Sequence, residues 1–299
     1  MQVKIGTRGS KLALWQANLV RDLLQGAGWN ADLVTIKSEG DLVQGVPLHE
    51  IGLPGAFTRN LDQAVTAGRV NLAVHSAKDM PSVLAEELEI VAFLKREDPR
   101  DVLLAVSEEV HLENFSRSLT IGTSSLRRTA FLRHYFDHVQ VKDIRGNVDT
   151  RIAKMEAGVY DGLVLAYAGV KRMGLERYIV QKFNLSSFTP AIGQGAIAVV
   201  CRKDTEYKEQ LRAVLNHPDT EYSLLCERSF LRTIDGGCKT PAFGYASVFG
   251  DKLTFHGGIA ETDGSVIHRH TEEGSTGDAA RIGDRLAHHI LGTMSRINH

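Results

Sequence analysis

Apolar positions recur along this 299-residue chain in two alternating periods, one of strands and one of helices. Residues 3–6 read as a short strand. A helix starting at Ser10 or Lys11 runs to about residue 25, with Leu12, Trp15, Leu19 and Leu23 on one face. The pattern returns to strand over 31–37. Residues 38–54 are polar and broken by Gly and Pro, which predicts a long loop of the kind that often carries function. A helix over 57–67, a buried-type strand at 71–75 and strands at 88–94 and 102–106 follow. Between the last two, Arg96-Glu97-Asp98-Pro99-Arg100 reads as a linker.

The pattern then restarts. Ile5-Gly6-Thr7-Arg8-Gly9-Ser10 before one helix resembles Ile121-Gly122-Thr123-Ser124-Ser125 before another. Thr58-Arg59 opens a helix ending near Gly68, followed by a strand at 72–75. Thr150-Arg151 opens one ending near Gly158, followed by a strand at 163–166. Alternating strands and helices predict parallel α/β sheets. The two halves read as similar domains, whether by duplication or by chance likeness of two βα units. A late strand at 196–201, after Gly193-Gln194-Gly195, is placed to cross back into the first domain. From Tyr222 the texture changes to a helix (224–232), short strands at 242–249, 252–260 and 265–270, and a final helix (278–294), a small α+β unit. The expected division is 1–96 with 194–215, then 101–190, then 220–299.

Composition narrows the class. With 43% hydrophobic and 24% charged residues, disorder and fibre are excluded. A net charge of −1 argues against a protein that coats nucleic acid. Arg outnumbers Lys, 22 to 13, which suits planar binding of carboxylate or phosphate. No apolar run approaches the ~18–20 residues that span a bilayer. The N-terminus reads as a strand entering a fold, not as a secretion signal. Three widely spaced cysteines, Cys201, Cys226 and Cys238, without a CxxC, fit a reduced cytoplasmic setting. The histidines are scattered and no metal site is expected.

Candidate chemistry gathers at strand ends. Two strand-to-helix turns carry Gly, Thr, Ser and Arg, and helix N-termini attract anions. Ser10 alone would be only a helix cap. Arg8 beside Ser10, Arg127 and Arg128 after Ser124-Ser125, then Arg145-Gly146-Asn147 and Arg151, together predict a cradle for polycarboxylate or phosphate, although any one of these arginines alone would be a surface charge. His75-Ser76-Ala77-Lys78-Asp79-Met80-Pro81 ends a strand, where open α/β sheets bind ligands. Lys78 and Asp79 are poor core residues there; Asp79 is either an acid–base group or a capping Asp. Cys238, in Asp235-Gly236-Gly237-Cys238-Lys239-Thr240-Pro241, has no core to fill, so it is a nucleophile or attachment point, or else a structural turn Cys. Cys201 and Cys226 lie in apolar segments and read as inert core thiols.

Six ordered stretches resemble the hydroxymethylbilane synthase (porphobilinogen deaminase) family: TRGSKLALWQA (7–17), AVHSAKDMP (73–81), GTSSLRR (122–128), IRGNVDTR (144–151), GQGAIAV (193–199) and GGC (236–238). The resemblance covers nearly the whole chain. It implies an α/β fold of two doubly wound domains like the halves of periplasmic binding proteins, plus a small α+β domain bearing the cysteine. The implied reaction is that of a cytoplasmic, monomeric transferase of heme and porphyrin biosynthesis. It joins four porphobilinogen molecules head to tail into hydroxymethylbilane, releasing ammonia, on a dipyrromethane cofactor held by a thioether to Cys238. Motif match gives Asp79 the catalytic carboxylate, and gives cofactor and carboxylate binding to Arg8, Ser10, Lys78, Ser124, Arg127, Arg128, Arg145, Gly146, Arg151 and Gln194. Two positions depart. Leu53-Pro54-Gly55-Ala56-Phe57 stands where the family has Lys-Gly-Leu-Phe, so a lid cation is missing at Pro54 or supplied by Arg59. Lys239 stands where Gln is common. The competing class is a non-enzymatic anion-binding protein of two lobes, which would explain the arginines but neither Asp79 nor the turn cysteine. No helix-turn-helix supports a regulatory module.

Overall fold

The computed structural model describes residues 1–37, 58–113, 118–234 and 240–297. Pro54 with its long loop, and Cys238 with its turn, lie outside the described residues.

Strands β1 (Gln2–Thr7), β2 (Asn30–Thr35), β3 (Leu72–Ser76), β4 (Leu88–Phe93) and β10 (Ile197–Arg202) form one sheet, in the order β2-β1-β3-β10-β4. Strands β5 (Asp101–Ala105), β6 (Thr120–Gly122), β7 (Gln140–Lys142), β8 (Gly162–Ala166) and β9 (Ile179–Lys182) form a second, β7-β6-β8-β5-β9. The two orders coincide when β1 is laid on β6, β2 on β7, β3 on β8, β10 on β5 and β4 on β9. The restart in the sequence is thus a restart in topology. Neither sheet is wholly parallel, however. β10 runs antiparallel to β3 and β4, and β5 runs antiparallel to β8 and β9. The reason is connection. Both strands are entered from the other sheet, β5 across residues 94–100 and β10 across residues 183–196, and the first crossing is shorter than the dozen residues that a crossover to a parallel neighbour needs.

Helix α1 (Lys11–Gly26) starts at Ser10, whose Oγ accepts the Ala13 N–H at 3.3 Å. Its core face is Gln16, Ala17, Val20 and Leu24, one residue on from the expected Leu12, Trp15, Leu19, Leu23 stripe. That stripe is only half-buried to exposed. Leu12 instead meets Gly169 of the second half, and Trp15 lies under the Arg172 guanidinium at 5.5 Å. The remaining helices are α2 (Arg59–Thr66), α3 (Leu126–Tyr135), α4 (Val148–Glu156), α5 (Tyr167–Arg172), α6 (Lys208–Leu215), α7 (Pro218–Thr233) and α8 (Ala279–Ile297). The α7 helix begins earlier than its apolar run suggests, because Pro218 fits the first helical position and His217 Nδ1 accepts the Thr220 N–H. Helices α7 and α8 cover a three-stranded sheet of β11 (Ala242–Phe249), β12 (Lys252–Ala260) and β13 (Ile267–Ser275).

Both crossings pass through one buried ion pair. Glu227 on α7 is fully buried and takes the Arg96 guanidinium at 2.5 and 3.2 Å. The same carboxylate accepts the Gly193 and Ala246 N–H groups, each at 2.8 Å. Arg96 Nε donates to Gln194 O at 2.8 Å. One carboxylate therefore ties the outgoing crossing, the returning crossing and the third sheet together. Glu227→Ala leaves Arg96 and two buried N–H groups without their acceptor and should cost about 3–5 kcal/mol. Glu227→Gln, which keeps an acceptor oxygen, should cost less. Urea unfolding of both variants checks the order.

Candidate active site

The two sheets present the C-terminal ends of β1, β3, β6 and β8 to one crevice. Lys78 and Asp79 stand on a 3-10 turn, Ala77–Asp79, directly after β3. The returning crossing explains the position of that turn. Gly193 has φ +74°, and a Cβ there would lie 2.9 Å from the backbone of Ala77 and Lys78. Gly195 has φ +88°, and its Cβ would lie 2.5 Å from Glu97 O. The Gly193-Gln194-Gly195 segment is therefore glycine on both sides because it presses on the turn and on the other crossing.

Among the described residues, Asp79 and Lys78 make no hydrogen bond or salt bridge with another side chain. Both are exposed to the crevice. Lys78 reaches water but is ringed by protein. Desolvation, with Arg128 adding to it, lowers its pKa from 10.5 to about 8. Asp79 shares a small cavity with Arg8, Ser10, Gln16 and His75. Arg8 sits in the turn between β1 and α1, and Ser10 caps α1 while also facing the cavity.

The second sheet answers from the opposite side. Arg151, on α4, is half-buried. Burial, then the charge of Arg128, lowers its pKa to about 10, and Asp79 acts on it in the opposite sense. Its Nε donates to Gly146 O at 2.9 Å. Arg145 pairs with Asp143 at 3.0 Å. Gly146 has φ +109°, and a side chain there would strike Thr150. Asn147 caps α4 by accepting the Thr150 N–H at 2.9 Å. Lys11 Nζ at the start of α1 meets Asp149 Oδ2 at the start of α4 at 3.1 Å, so the two helix N-termini approach each other. Ser124 lies half-buried before α3, while its neighbour Ser125 supplies the helix cap.

Arg127 and Arg128 are placed differently from a row of open cations. Both are buried, 4% and 6% exposed, and share the sealed carboxylate of Asp101. Arg127 Nη2 donates to Asp101 Oδ2 at 2.6 Å and Nη1 to Thr189 O at 2.8 Å. Arg128 donates to Asp101 Oδ1 through Nε and Nη2 at 3.0 and 2.7 Å, and to Val164 O at 3.0 Å. Gln194 Nε2 completes the cluster, at 2.9 Å from Asp101 Oδ1 and 2.7 Å from Pro99 O. Burial alone would raise the pKa of Asp101. The two guanidiniums outweigh it and hold the carboxyl well below its ordinary value.

The sequence reading missed Asp101, Arg96, Glu227, Gln16, His75 and Arg172. Arg172 donates to Gly195 O at 2.8 Å while stacking over Trp15. An acidic residue at the head of the apolar run 102–106 was the available signal for Asp101.

Two family models cover the chain. "Porphobilinogen deaminase, dipyromethane cofactor binding domain" matches residues 3–210, and "Porphobilinogen deaminase, C-terminal domain" matches residues 221–292. The chain belongs to the porphobilinogen deaminase family. A curated porphobilinogen deaminase of Desulfosudis oleivorans is 44% identical over 293 residues, 97% of this chain and 94% of that one. Among solved structures, the methionine binding protein MetQ overlaps 71% of this chain and 89% of its own at 10% identity and a TM-score of 0.45. A periplasmic substrate-binding protein of an ABC transporter from Coxiella burnetii overlaps 72% and 92% at 12% identity and 0.44. As a member of the porphobilinogen deaminase family, the chain is a transferase of tetrapyrrole biosynthesis. It polymerises porphobilinogen to hydroxymethylbilane, and its cofactor is dipyrromethane.

The Asp101 cluster carries a pH signature. A carboxyl whose pKa is depressed on folding contributes stability that is complete above its unfolded value, about 3.9, and is lost as pH falls through the folded value. Asp101→Asn should therefore be less stable than the parent at neutral pH. The gap should narrow below about pH 4. Urea unfolding of both proteins at a series of pH values measures it.

Proposed function

We propose that Asp79 is the acid–base carboxylate of this crevice, that the surrounding cations bind the carboxylates of the growing chain, and that Cys238 holds the dipyrromethane by a thioether. The observation that carries the reading is the free Lys78–Asp79 turn on one sheet, opposite Arg151 on the other. Each porphobilinogen ring brings an acetate and a propionate, so the chain becomes a polyanion as it grows. Exposed or half-buried Lys78, Arg8, Arg145 and Arg151, with Ser10 and Ser124 at helix N-termini, are the right chemistry for it. When bound, the dipyrromethane supplies the pyrrole carbon from which the chain is extended.

Asp79 accepts pyrrole N–H groups, stabilises positive charge as the substrate's aminomethyl group leaves as ammonia, and takes the proton from the attacking α-carbon. Gly146 and Asn147 shape the turn that sets Arg145 against Arg151. Arg127, Arg128 and Gln194 act through Asp101: they fix the turn and the crossing, and Arg128 also adds to the positive field at Lys78.

The proposal extends to organisation. Residues 1–96 with 194–215, 101–190 and 220–299 work as three domains, which the three sheets support. The enzyme acts as a cytoplasmic monomer without nucleic acid or membrane. Support comes from a crevice built by one chain and a net charge of −1, and among the described residues no helix is long and apolar enough to cross a membrane.

Intact mass under denaturing conditions tests the attachment. Cys238→Ser should lose the adduct and most activity, while Cys201→Ala and Cys226→Ala keep it. An adduct surviving in Cys238→Ser moves the attachment elsewhere. Asp79→Asn, assayed as holoenzyme in single turnovers, should lose about 10²–10⁴-fold in rate with the fold retained. A wild-type rate would make Asp79 a turn cap.

Lys78 gives a separate test. Its charge is present below about pH 8 and is lost as pH rises through that value. Porphobilinogen affinity should weaken across that range in the parent, hold up in Lys78→Arg, and be weak and flat in Lys78→Gln. Identical profiles in all three would remove Lys78 from carboxylate binding.

A further inference from the structure

Four residues before Asp79 stands a titratable group that the mechanism above does not use. His75, on β3, is 4% exposed. Its Nε2 lies 2.9 Å from Oδ1 of Asp62, in the first turn of α2. With Nε2 at a carboxylate, the neutral ring carries its proton there and its lone pair on Nδ1. Nδ1 has no hydrogen bond among the described residues. His75 is among the residues that line the cavity with Asp79. At about 60 Å³, that cavity has room for a short string of water molecules.

We propose that His75, oriented by Asp62, is the proton-holding residue of the crevice. Through cavity water it takes from Asp79 the proton that leaves the pyrrole α-carbon, and it gives that proton to the nitrogen that departs in the next condensation. The inference rests on the reading of Asp79 given above. In each condensation the C–N bond of the aminomethyl group breaks and its electron pair leaves on nitrogen. The pyrrole π-electrons form the new C–C bond, and the C–H pair restores the ring as the proton departs. The net transfer is one proton from carbon to the released nitrogen, with no oxidant or reductant.

Asp79 must be ionised again before it can stabilise the next positive charge, so a second group that holds the proton in between keeps it ready. Histidine is the side chain whose ordinary range suits that task, and Asp62 balances the imidazolium. Among the described residues, the charged groups around His75 and the cavity are Asp62 from α2, Asp79 from the turn and Arg8 from the turn before α1. The α1 helix contributes neutral Gln16, and β10 pairs against His75 with apolar Ala198. A strut holding α2 to β3 would need the hydrogen bond but not the open Nδ1.

The test uses holoenzyme, verified by mass, of the parent, His75→Gln and Asp62→Asn, with Asp79→Asn as control. One readout is the ¹⁵N NMR signature of the His75 ring at rest; the other is the single-turnover rate across about pH 5–8. The ring should be the Nε2–H tautomer. His75→Gln should lose about 10²-fold in rate at unchanged KM and flatten the acid limb of the profile. Asp62→Asn should lose the Nε2–H preference of the ring and part of the rate, because the carboxylate that orients the imidazole is gone. An Nδ1–H ring overturns the proposal. So do variants that lower only Tm and cofactor loading while the rate per loaded molecule and the acid limb stay as in the parent. A slow Asp79→Asn beside a wild-type His75→Gln overturns this inference alone, whereas a wild-type Asp79→Asn overturns the underlying reading with it. If His75→Gln fails to load, Asp62→Asn and the ring's tautomer decide.

Discussion

A single sealed carboxylate, Asp101, holds two guanidiniums at the junction of the two large sheets. It heads β5, the strand that reaches the second sheet through the outgoing crossing. Gln194, from the returning crossing, closes the same cluster. Neither arginine could stay buried without this charge, because an isolated guanidinium in a protein interior costs far more than a few hydrogen bonds return. The cluster fixes where Gln194 lies, and hence where Gly193 presses on the backbone of Ala77 and Lys78. The position of the Lys78–Asp79 turn follows from a buried cluster of one carboxylate and two guanidiniums.

That arrangement separates two uses of arginine. Arg127 and Arg128 are spent on architecture, with Asp101 cancelling one of their two charges. Arg8, Arg145, Arg151 and Lys78 remain at the crevice surface, where a carboxylate can reach them. A chain of net charge −1 thereby presents a locally positive cleft, the field that a growing polycarboxylate requires. Among the described residues the Asp79 carboxylate has no side-chain partner, which suits the acid–base role proposed for it.

Much of this was legible in the sequence. The strand-turn-helix restart at Ile5 and Ile121 announced two similar α/β halves, and the run 196–201 announced the return crossing; that the two sheets share one strand order is visible only in the structure. The turn after β3 carrying Lys78 and Asp79 does face the start of α4 carrying Arg151, with Arg145 beside it. The antiparallel strands were not legible, because periodicity reports burial and not direction. Nor was the division of labour among the arginines. In the sequence Arg127 and Arg151 look alike, and only the partner 26 residues before Arg127 separates them. Trp15 belongs to the same class. Its spacing reads as core, but its ring serves the Arg172 guanidinium of the other half.

On the proposed reading the chain grows between the two sheets, with its rings at Asp79 and its carboxylates on the crevice cations. A crystal structure of the cofactor-loaded enzyme decides this. Pyrrole nitrogens should lie within about 3 Å of the Asp79 carboxylate, with ring carboxylates on Lys78, Arg145 and Arg151 and the Asp101 pairing with Arg127 and Arg128 intact. Rings lying outside the crevice, or ring carboxylates displacing Asp101 from Arg127, would contradict it.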